Sequence, residues 1–469
     1  MAGTTNKEKR RMDDRKLHVV VIVLGDVGRS PRMQYHALSL LQAGHEVSLV
    51  GYHGEQLIPA LYSFSEQQLH VIRFRVPSPK VLQYIMPVYF VWRILSLSLW
   101  LIWMLFVKVP TRTAVDCVLV QNPPALPLLF CAYFFCWIRG INQSRRPGLV
   151  IDWHNLGYSM LKPNAFQRLA KAYEETMAPL ADGHLTVTVA MRDFLQRNMN
   201  LPEDKMRVLY DCPPAMFQPL SFREQHEILI KLDKQLCQAC PKSWYSSRPQ
   251  EPDAHTLLTQ HFGKDRYESR RGRPALVTSS TSWTPDEDFG ILLAALVLLD
   301  ERIRKLESNL TVLVVVTGKG PQKALYQQKM SQLALVHVAI QTVWLEPADY
   351  PKLLACADMG VSLHTSTSGL DLPMKVLDLF GCQVPVCAVD FACLSELVKD
   401  GVNGRVFQTT TQLAEQLWEL LEPLSKSPCA APHNYGRLES YSRNLQKQKR
   451  WSDNWKENAL PVLLQASYR

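Results

Sequence analysis

The feature that most constrains this chain is a recurring pattern of short, continuously apolar, β-branched runs. Each run is closed by Gly, Pro or polar residues and followed by helical spacing. "LHVVVIVLGDVG", residues 17–28, reads as a buried strand entering a tight glycine turn. Ser30 then suits a helix N-cap and Pro31 the first helical position. Met33, Ala37, Leu38 and Leu41 recur at helical spacing, and Gly44 marks the C-terminal end. "HEVSLVGY" is the next strand, so the segment is a β-α-β unit with parallel strands and a right-handed crossover. "LHVIRFRV", "DCVLVQNPP", "GLVIDWHN" and "GHLTVTVA" extend the same sheet. Open parallel sheets bind ligands beyond the carboxyl ends of their strands. Asp26, Gln121, Asn122, Asp152, His154 and Asn155 all fall at such ends.

A second series of the same kind starts at "PALVTSSTSW" and runs through "LTVLVVVTGKGP" and "VSLHTSTSGLDLPMKVLDLFGCQVPVCAVD". With 469 residues, the chain is too long for one ordinary core. Hydrophobic residues at 47% and charged residues at 20% exclude a disordered chain. The fold class is therefore α/β, with two doubly wound domains whose strand ends face each other across a cleft. The expected divisions are a basic tail over 1–16, a first domain over 17–219, a charged linker over 220–274, a second domain over 275–435, and helices over 436–469 packing back near the cleft or on the first domain. The linker is polar, lacks strand runs and reads as partly disordered. A formal net charge of +9 favours anionic partners: phosphates, an acidic membrane face or RNA. The 11 cysteines are scattered and odd in number, which reads as reduced thiols in a cytosolic setting. Cys237 and Cys240 form a lone CxxC without the second ligand pair that zinc needs, so no metal site is read.

The first 16 residues lack the apolar core of a signal peptide or anchor. Membrane contact falls instead to residues 81–107, "VLQYIMPVYFVWRILSLSLWLIWMLFV", whose only charge is Arg93. A span needs roughly 20 apolar residues. Here Arg93 divides the run, Pro87 disturbs its first half, and Trp92, Trp100 and Trp103 suit an interface. Strands lie on both sides, so a span would tear the first domain apart. The favoured reading is a helix that dips into one membrane face; a buried core helix is the alternative. "ALPLLFCAYFFCWIRG" is a second apolar segment, either core or part of the same face.

"GDVGRS" carries Gly25 and Gly28 but not G-x-G-x-x-G, which disfavours a dinucleotide site. What remains is a helix N-terminus at Gly28 and Ser30 flanked by Arg29 and Arg32. It is either a phosphate site or a permissive turn with solvated arginines. Asp152 and His154 share one face of a strand end. Such a pair can take a proton from a hydroxyl, with histidine as base and carboxylate as its orienter, or can simply brace the strand end. No G-x-S-x-G nucleophile elbow is present. In the second series, Gly318 and Gly320 let backbone approach a phosphate while Lys319 supplies charge, although there is no P-loop motif. A Ser/Thr/Gly loop, Thr365 to Leu370, leads into a helix carrying Lys375 and Asp378, a set suited to a diphosphate and a ribose. Asp286, Glu287 and Asp288 read as favouring the positive end of the following helix.

Taken together, "VVIVLGDVGRSPRMQYHALSL", "VQNPPALP", "VIDWHNLGYS", "SSTSWTPDEDFGILLAAL", "VTGKGP" and "GLDLPMKVLDLFGC" resemble, in order, the β-mannosyltransferase family of the dolichol-linked oligosaccharide pathway, within the GT-B glycosyltransferases. The resemblance runs from about residue 17 to about residue 460 and is weakest over 220–274. It implies GT-B architecture, two Rossmann-like domains facing each other across a cleft. It implies inverting transfer of the first mannose from GDP-mannose to GlcNAc2-diphosphodolichol, with a β-1,4 linkage, at the cytosolic face of the endoplasmic reticulum membrane. Inversion implies a general base on the acceptor hydroxyl; the strand-end reading assigns it to His154, with Asp152 and Asp26 as rivals. Gly28, Arg29, Ser30 and Arg32 are implied for the acceptor diphosphate. Gly318, Lys319, Gly320, Ser368, Gly369, Leu370 and Lys375 are implied for the donor diphosphate, Asp378 for its ribose, and Trp344 beside the guanine. The resemblance implies no metal, no tightly bound cofactor and no nucleic acid, with free Mg2+ at most a stimulant. Other lipid-linked-oligosaccharide mannosyltransferases are the implied protein partners. Two departures stand out: the chain opens without the family's membrane anchor, and the first of two late-loop carboxylates falls on Leu370, beside Asp371. A GT-B enzyme with another acceptor, or a non-catalytic subunit binding the lipid or a transferase, are the alternatives.

Overall fold

The short β-branched apolar runs of the sequence form strands, because a parallel sheet covered by helices on both faces needs apolar side chains on both. The computed structural model describes residues 15–75, 86–110, 113–143, 145–245, 255–263, 265–285, 287–366, 368–427 and 430–468. The basic tail up to residue 14, residues 76–85 at the start of the Trp-rich stretch, residues 246–254 of the linker, Asp286 and Thr367 lie outside the described residues. The chain divides into two units, Met1–Asp211 together with Trp451–Arg469, and Cys212–Arg450.

The first unit runs β1 (His18–Asp26), α1 (Pro31–Gln42), β2 (Glu46–Tyr52), β3 (Leu69–Phe74), α2 (Met86–Val107), β4 (Cys117–Asn122), α3 (Leu128–Asn142), β5 (Gly148–Trp153), α4 (Ala165–Met177), β6 (Gly183–Thr186), α5 (Val189–Met199) and β7 (Met206–Val208). Its seven strands are parallel in the order β3-β2-β1-β4-β5-β6-β7. The strand order reverses between β1 and β4, the switch point beyond which a doubly wound sheet binds its ligands. Met33, Ala37, Leu40 and Leu41 bury the inner face of α1 against β1 and β2. Side chains of Asn164 and Thr188 cap the N-termini of α4 and α5.

The second unit runs α6 (Phe222–Cys237), β8 (Thr259–His261), β9 (Tyr267–Ser269), β10 (Ala275–Ser280), α7 (Phe289–Lys305), β11 (Val312–Thr317), α8 (Lys323–Ser331), β12 (Val338–Val343), α9 (Tyr350–Ala355), β13 (Met359–Ser362), α10 (Met374–Gly381), β14 (Val386–Val389), β15 (Gly404–Phe407), α11 (Thr410–Leu421), α12 (Pro423–Lys426) and α13 (Gly436–Leu445). Six parallel strands lie in the order β12-β11-β10-β13-β14-β15, and β8 and β9 form a separate antiparallel hairpin.

Two expectations change here. Residues 220–274 are not an irregular linker throughout: Ser221 and Glu224 form a capping box on α6. Ile228, Leu229, Leu232 and Leu236 then pack into the same core as Val315 and Ala339. Cys237 and Cys240 close this helix, their thiols directed at Asp233 and the Leu236 carbonyl. The C-terminal helices are also not one body. α13 stays with the second unit, whereas α14 (Trp451–Ser467) packs on β5, β6 and β7 of the first. Trp455, Ala459, Val462, Leu463 and Ala466 provide that face at helical spacing.

α2 has two characters. Leu97, Leu101, Met104 and Leu105 are buried, while Val91, Leu95, Leu99, Trp103 and Val107 form an exposed row at four-residue intervals. Phe130, Trp137 and Ile141 of the neighbouring α3 are exposed as well. No helix among the described residues is long and apolar enough to cross a membrane.

Candidate functional site

In the first unit the sequence places Asp152 near the end of β5, fully buried, and the structure surrounds it with donors. Arg32, in the first turn of α1, grips it twice: Nε to Oδ2 at 2.8 Å and Nη2 to Oδ1 at 2.8 Å. Through Nη1 the same guanidinium donates to Asp211 Oδ1 at 2.8 Å and to the Leu209 carbonyl at 2.9 Å. The Trp451 ring lies beside it, 5.6 Å from Cζ. His36, one turn along α1, has Nε2 3.2 Å from Asp152 Oδ2, and its Nδ1 accepts from the Trp455 indole at 2.9 Å. An indole can only donate, so the His36 proton sits on Nε2. Burial pushes the His36 pKa down and keeps the ring neutral. Burial opposes the charge of Asp152, but Arg32 and His154 outweigh it and hold its pKa well below the carboxylate range.

His154 follows β5, its backbone N–H bonded to the Asn122 carbonyl at 2.8 Å. Its Nε2 lies 2.9 Å from Asp152 Oδ2. An ionised carboxylate only accepts, so His154 donates through Nε2 and keeps its Nδ1 lone pair as a base. With 23% of its side chain exposed, it is more accessible than Arg32, His36, Asp152 or Asp211. The arrangement is an imidazole oriented by a buried carboxylate whose charge Arg32 stabilises, a pairing that can serve as a proton acceptor.

Three expectations are corrected by this geometry. Arg32 is buried and committed to two carboxylates, so it charges Asp152 rather than holding a diphosphate. Asp152 does not stand open at the surface as a base would: it is buried and bonded to Arg32, His36 and His154. Asp26 braces a turn: its Oδ1 accepts the Gly28 N–H and its Oδ2 the Glu55 N–H, both at 2.9 Å. Gly28 lies so close to Glu55 that an added Cβ would sit 2.5 Å from the Glu55 carbonyl oxygen. Ser30 donates to Gln121 Oε1 at 2.5 Å. Of the two expected acceptor cations only Arg29 lies at the surface, 73% exposed and paired with Glu55 at 3.0 Å.

In the second unit the expected donor residues gather at the carboxyl ends of β10, β11 and β13. Glu287 reaches back into the turn after β10, accepting the Thr281 hydroxyl and, at 2.6 Å, the Ser282 N–H. Lys375, in the first turn of α10, donates to Glu287 Oε1 at 2.5 Å and Ser282 Oγ at 3.1 Å. Gly318 and Gly320 lie on that same turn, where a Cβ on either would come 1.8 Å from the carbonyl oxygen of Thr281 or Ser282. Lys319 Nζ sits 3.6 Å from the centre of the Trp344 ring. The loop after β13 braces itself: Ser366 and Ser368 donate to Asp371, and the Ser366 hydroxyl accepts the Gly369 N–H at 2.9 Å. The Ser368 hydroxyl accepts the Leu370 N–H at 3.3 Å. Asp378 hydrogen-bonds the Tyr350 hydroxyl, which lies 2.9 Å from Ser280 Oγ. Burial pushes the Asp378 pKa up to about 7. Among the described residues no group of His, Cys, Asp and Glu forms a metal cluster.

His36, Asp211, Trp451 and Trp455 escaped the sequence reading. His36 had a signal, four residues after Arg32 on one helix face; the others are distant in sequence and join only through the fold. Glu287 appeared only as a helix-end charge, whereas it is the partner of Lys375.

Comparison with known proteins gives a consistent picture. Residues 27–212 match the glycosyl transferase 4-like domain and residues 274–423 the glycosyl transferases group 1. The chain is 40% identical over 472 residues to the chitobiosyldiphosphodolichol beta-mannosyltransferase of Mus musculus, covering 97% of this chain and 91% of that one. It is 38% identical to the Homo sapiens protein of the same name, covering 95% and 92%. Identity to UDP-glycosyltransferase TURAN of Arabidopsis thaliana is 40%, covering 95% and 97%. Among solved structures it is similar to Anabaena HepE in complex with UDP-glucose, with a TM-score of 0.59, 14% identity and coverage of 96% and 99%. A glycosyltransferase from Rickettsia africae gives a TM-score of 0.57 at 13% identity, covering 96% of each chain. At such identities the two structures speak for the fold alone, which is GT-B.

Proposed function

Since the chain belongs to the chitobiosyldiphosphodolichol beta-mannosyltransferases, enzymes of the dolichol-linked pathway, we propose how its two units divide that reaction. The donor is GDP-mannose, the acceptor GlcNAc2-diphosphodolichol, and the new bond a β-1,4 linkage formed with inversion. His154 Nδ1 takes the proton of the acceptor hydroxyl as that oxygen attacks the anomeric carbon. The bond from this carbon to the phosphate oxygen breaks, and GDP leaves with the electron pair. A single displacement converts the α-linked donor into a β-linked product. Asp152, kept charged by Arg32, stabilises the imidazolium that forms.

The second unit receives GDP-mannose. Lys375, Lys319 and the backbone of Gly318–Gly320 and Ser368–Leu370 offset the charge developing on the leaving diphosphate. Asp378 takes the ribose hydroxyls and Trp344 the guanine. No bound metal is required, and free Mg2+ acts only as a counter-ion to the released GDP. In the first unit, Arg29 with the Gly28–Ser30 turn meets the acceptor diphosphate. The exposed apolar row of α2 rests on the cytosolic face of the endoplasmic reticulum membrane.

The observation that carries this reading is His154 held on the buried, ionised Asp152. It is tested with purified full-length protein, radiolabelled sugar nucleotides and a GlcNAc2-diphosphate lipid. Label should move from GDP-mannose, not from GDP-glucose or UDP-GlcNAc, into a product cleaved by β-mannosidase. Transfer from UDP-GlcNAc at an equal rate, or none from GDP-mannose, overturns it.

A further inference from the structure

Under the loops that follow β4 and β5 the first unit contains a cavity of about 450 Å³, within the range of small-molecule sites. Its walls are Ile94 and Leu97 from α2, Pro123 and Pro124 after β4, and Met160 and Phe166 around the start of α4. Hydrocarbon dominates this lining, and the charged side chains are Arg93 and Glu174. The cavity adjoins the base because it shares its loops: Asn122, which anchors the His154 N–H, also donates to the Asn155 carbonyl at 3.3 Å, and Gly157 then lines the wall.

Two further observations say what fits there. Glu174 is buried in the wall, its carboxyl facing the N–H groups of Gly157 and Tyr158 and the Asn122 side-chain amide. Burial pushes its pKa up to about 7, so the wall is compatible with a neutral acid and an apolar guest. The helix that supplies Ile94 and Leu97 presents its exposed row of Val91, Leu95 and Leu99 on another face. Hydrocarbon leaving the cavity along α2 therefore meets more apolar surface instead of water alone.

We propose that this cavity binds the first isoprene units of the polyprenyl acceptor, on the diphosphate side of the chain. The inference rests on the acceptor reading above. It assigns α2 two tasks: its inner face grips the substrate lipid and its outer row meets the bilayer. A membrane phospholipid is not the proposed guest, since the cavity lies against the loop of the base rather than along the exposed row.

The test uses full-length protein and a polyprenyl diphosphate with a diazirine on its first isoprene unit. Crosslinks should fall on peptides carrying Leu97 or Phe166. Unlabelled polyprenyl phosphate should suppress them and phosphatidylcholine vesicles should not. Label confined to Val91, Leu95 and Leu99, absent altogether, or equally suppressed by phosphatidylcholine overturns the proposal. A second arm compares phytanyl- and methyl-diphosphate GlcNAc2 as acceptors. Filling the cavity with Leu97→Trp, or with Ala170→Trp where α4 lines it, should cut the phytanyl-over-methyl preference in kcat/KM roughly ten-fold or more. An unchanged preference contradicts it. Cavity labelling without any mannose transfer by the unaltered protein would instead reject the proposed reaction and keep the lipid site.

Discussion

The carboxyl ends of the two sheets follow opposite electrostatic plans. In the first unit Asp152 has no exposed surface, is gripped by Arg32 and His36, and keeps its charge far below the usual carboxylate pKa. In the second, Asp378 sits against the Tyr350 hydroxyl, Lys375 one turn away is bonded to Glu287, and burial pushes its pKa up to about 7. In the proposed reaction the difference separates two kinds of work. A carboxylate that must stabilise a transient imidazolium has to be charged before the substrate arrives, so the fold supplies the cations. A carboxylate that meets ribose hydroxyls acts only while ligand is bound, so its own hydrogen bonds hold it until then.

His154→Ala breaks the comparison most sharply. Turnover should fall by roughly two to four decades while GDP-mannose affinity stays at the level of the unaltered protein. Loss of donor affinity in steady-state kinetics would place His154 in the donor machinery.

Asp152→Asn removes one partner of a buried ion pair and should destabilise the protein by about 3–5 kcal/mol near neutral pH. The Asp152 pKa is lowered by folding, so its contribution is complete above the ordinary carboxyl pKa of about 4 and is lost as pH falls further. Thermal scans at pH 7 and pH 3 should show the deficit shrinking in acid.

Lys375→Ala should raise KM for GDP-mannose about ten-fold or more, the loss of a charge-assisted hydrogen bond. Turnover at saturating donor should fall less than in His154→Ala.

Asp378→Asn has the opposite pH signature to Asp152→Asn. A carboxyl raised by folding penalises the native state as pH climbs from about 4 through 7. The variant should therefore melt higher than the unaltered protein at pH 8, by about 2–4 °C, and equally at pH 4. A gap independent of pH would mean that the carboxyl is not strained by burial.

Lys319→Met gives the smallest effect. The exposed stacking of Lys319 on Trp344 is worth about 0.5–1 kcal/mol, so KM for GDP-mannose should rise only a few-fold.

The strands were legible because parallel sheets demand continuous apolar runs, and "LHVVVIVLGD" or "LTVLVVVT" has no other economical reading. Proximity to strand ends likewise pointed to Asp152 and His154, and a Ser/Thr/Gly loop opening a helix pointed to Lys375 and Asp378. What the sequence hid was which charge meets which. Arg32 and Asp152 are 120 residues apart, and an arginine beside a helix N-terminus looks like a phosphate ligand until its carboxylate appears. α6 was obscured by polarity: Phe222–Cys237 mixes charged and apolar residues at a helical period and carries no β-branched run. The division of the C-terminus after Arg450 depends on packing of Trp455 and Leu463 against β5 and β6, which no local pattern announces.

The central claim, that donor binding belongs to the second unit and proton transfer to the first, is tested most directly by calorimetric titration of GDP-mannose into three full-length proteins. These are the unaltered chain, His154→Ala and Lys375→Ala, each also assayed for turnover. The account predicts that His154→Ala binds donor normally but is nearly inactive, whereas Lys375→Ala binds it at least about ten-fold more weakly. Normal donor binding by Lys375→Ala, or its loss in His154→Ala, would contradict it.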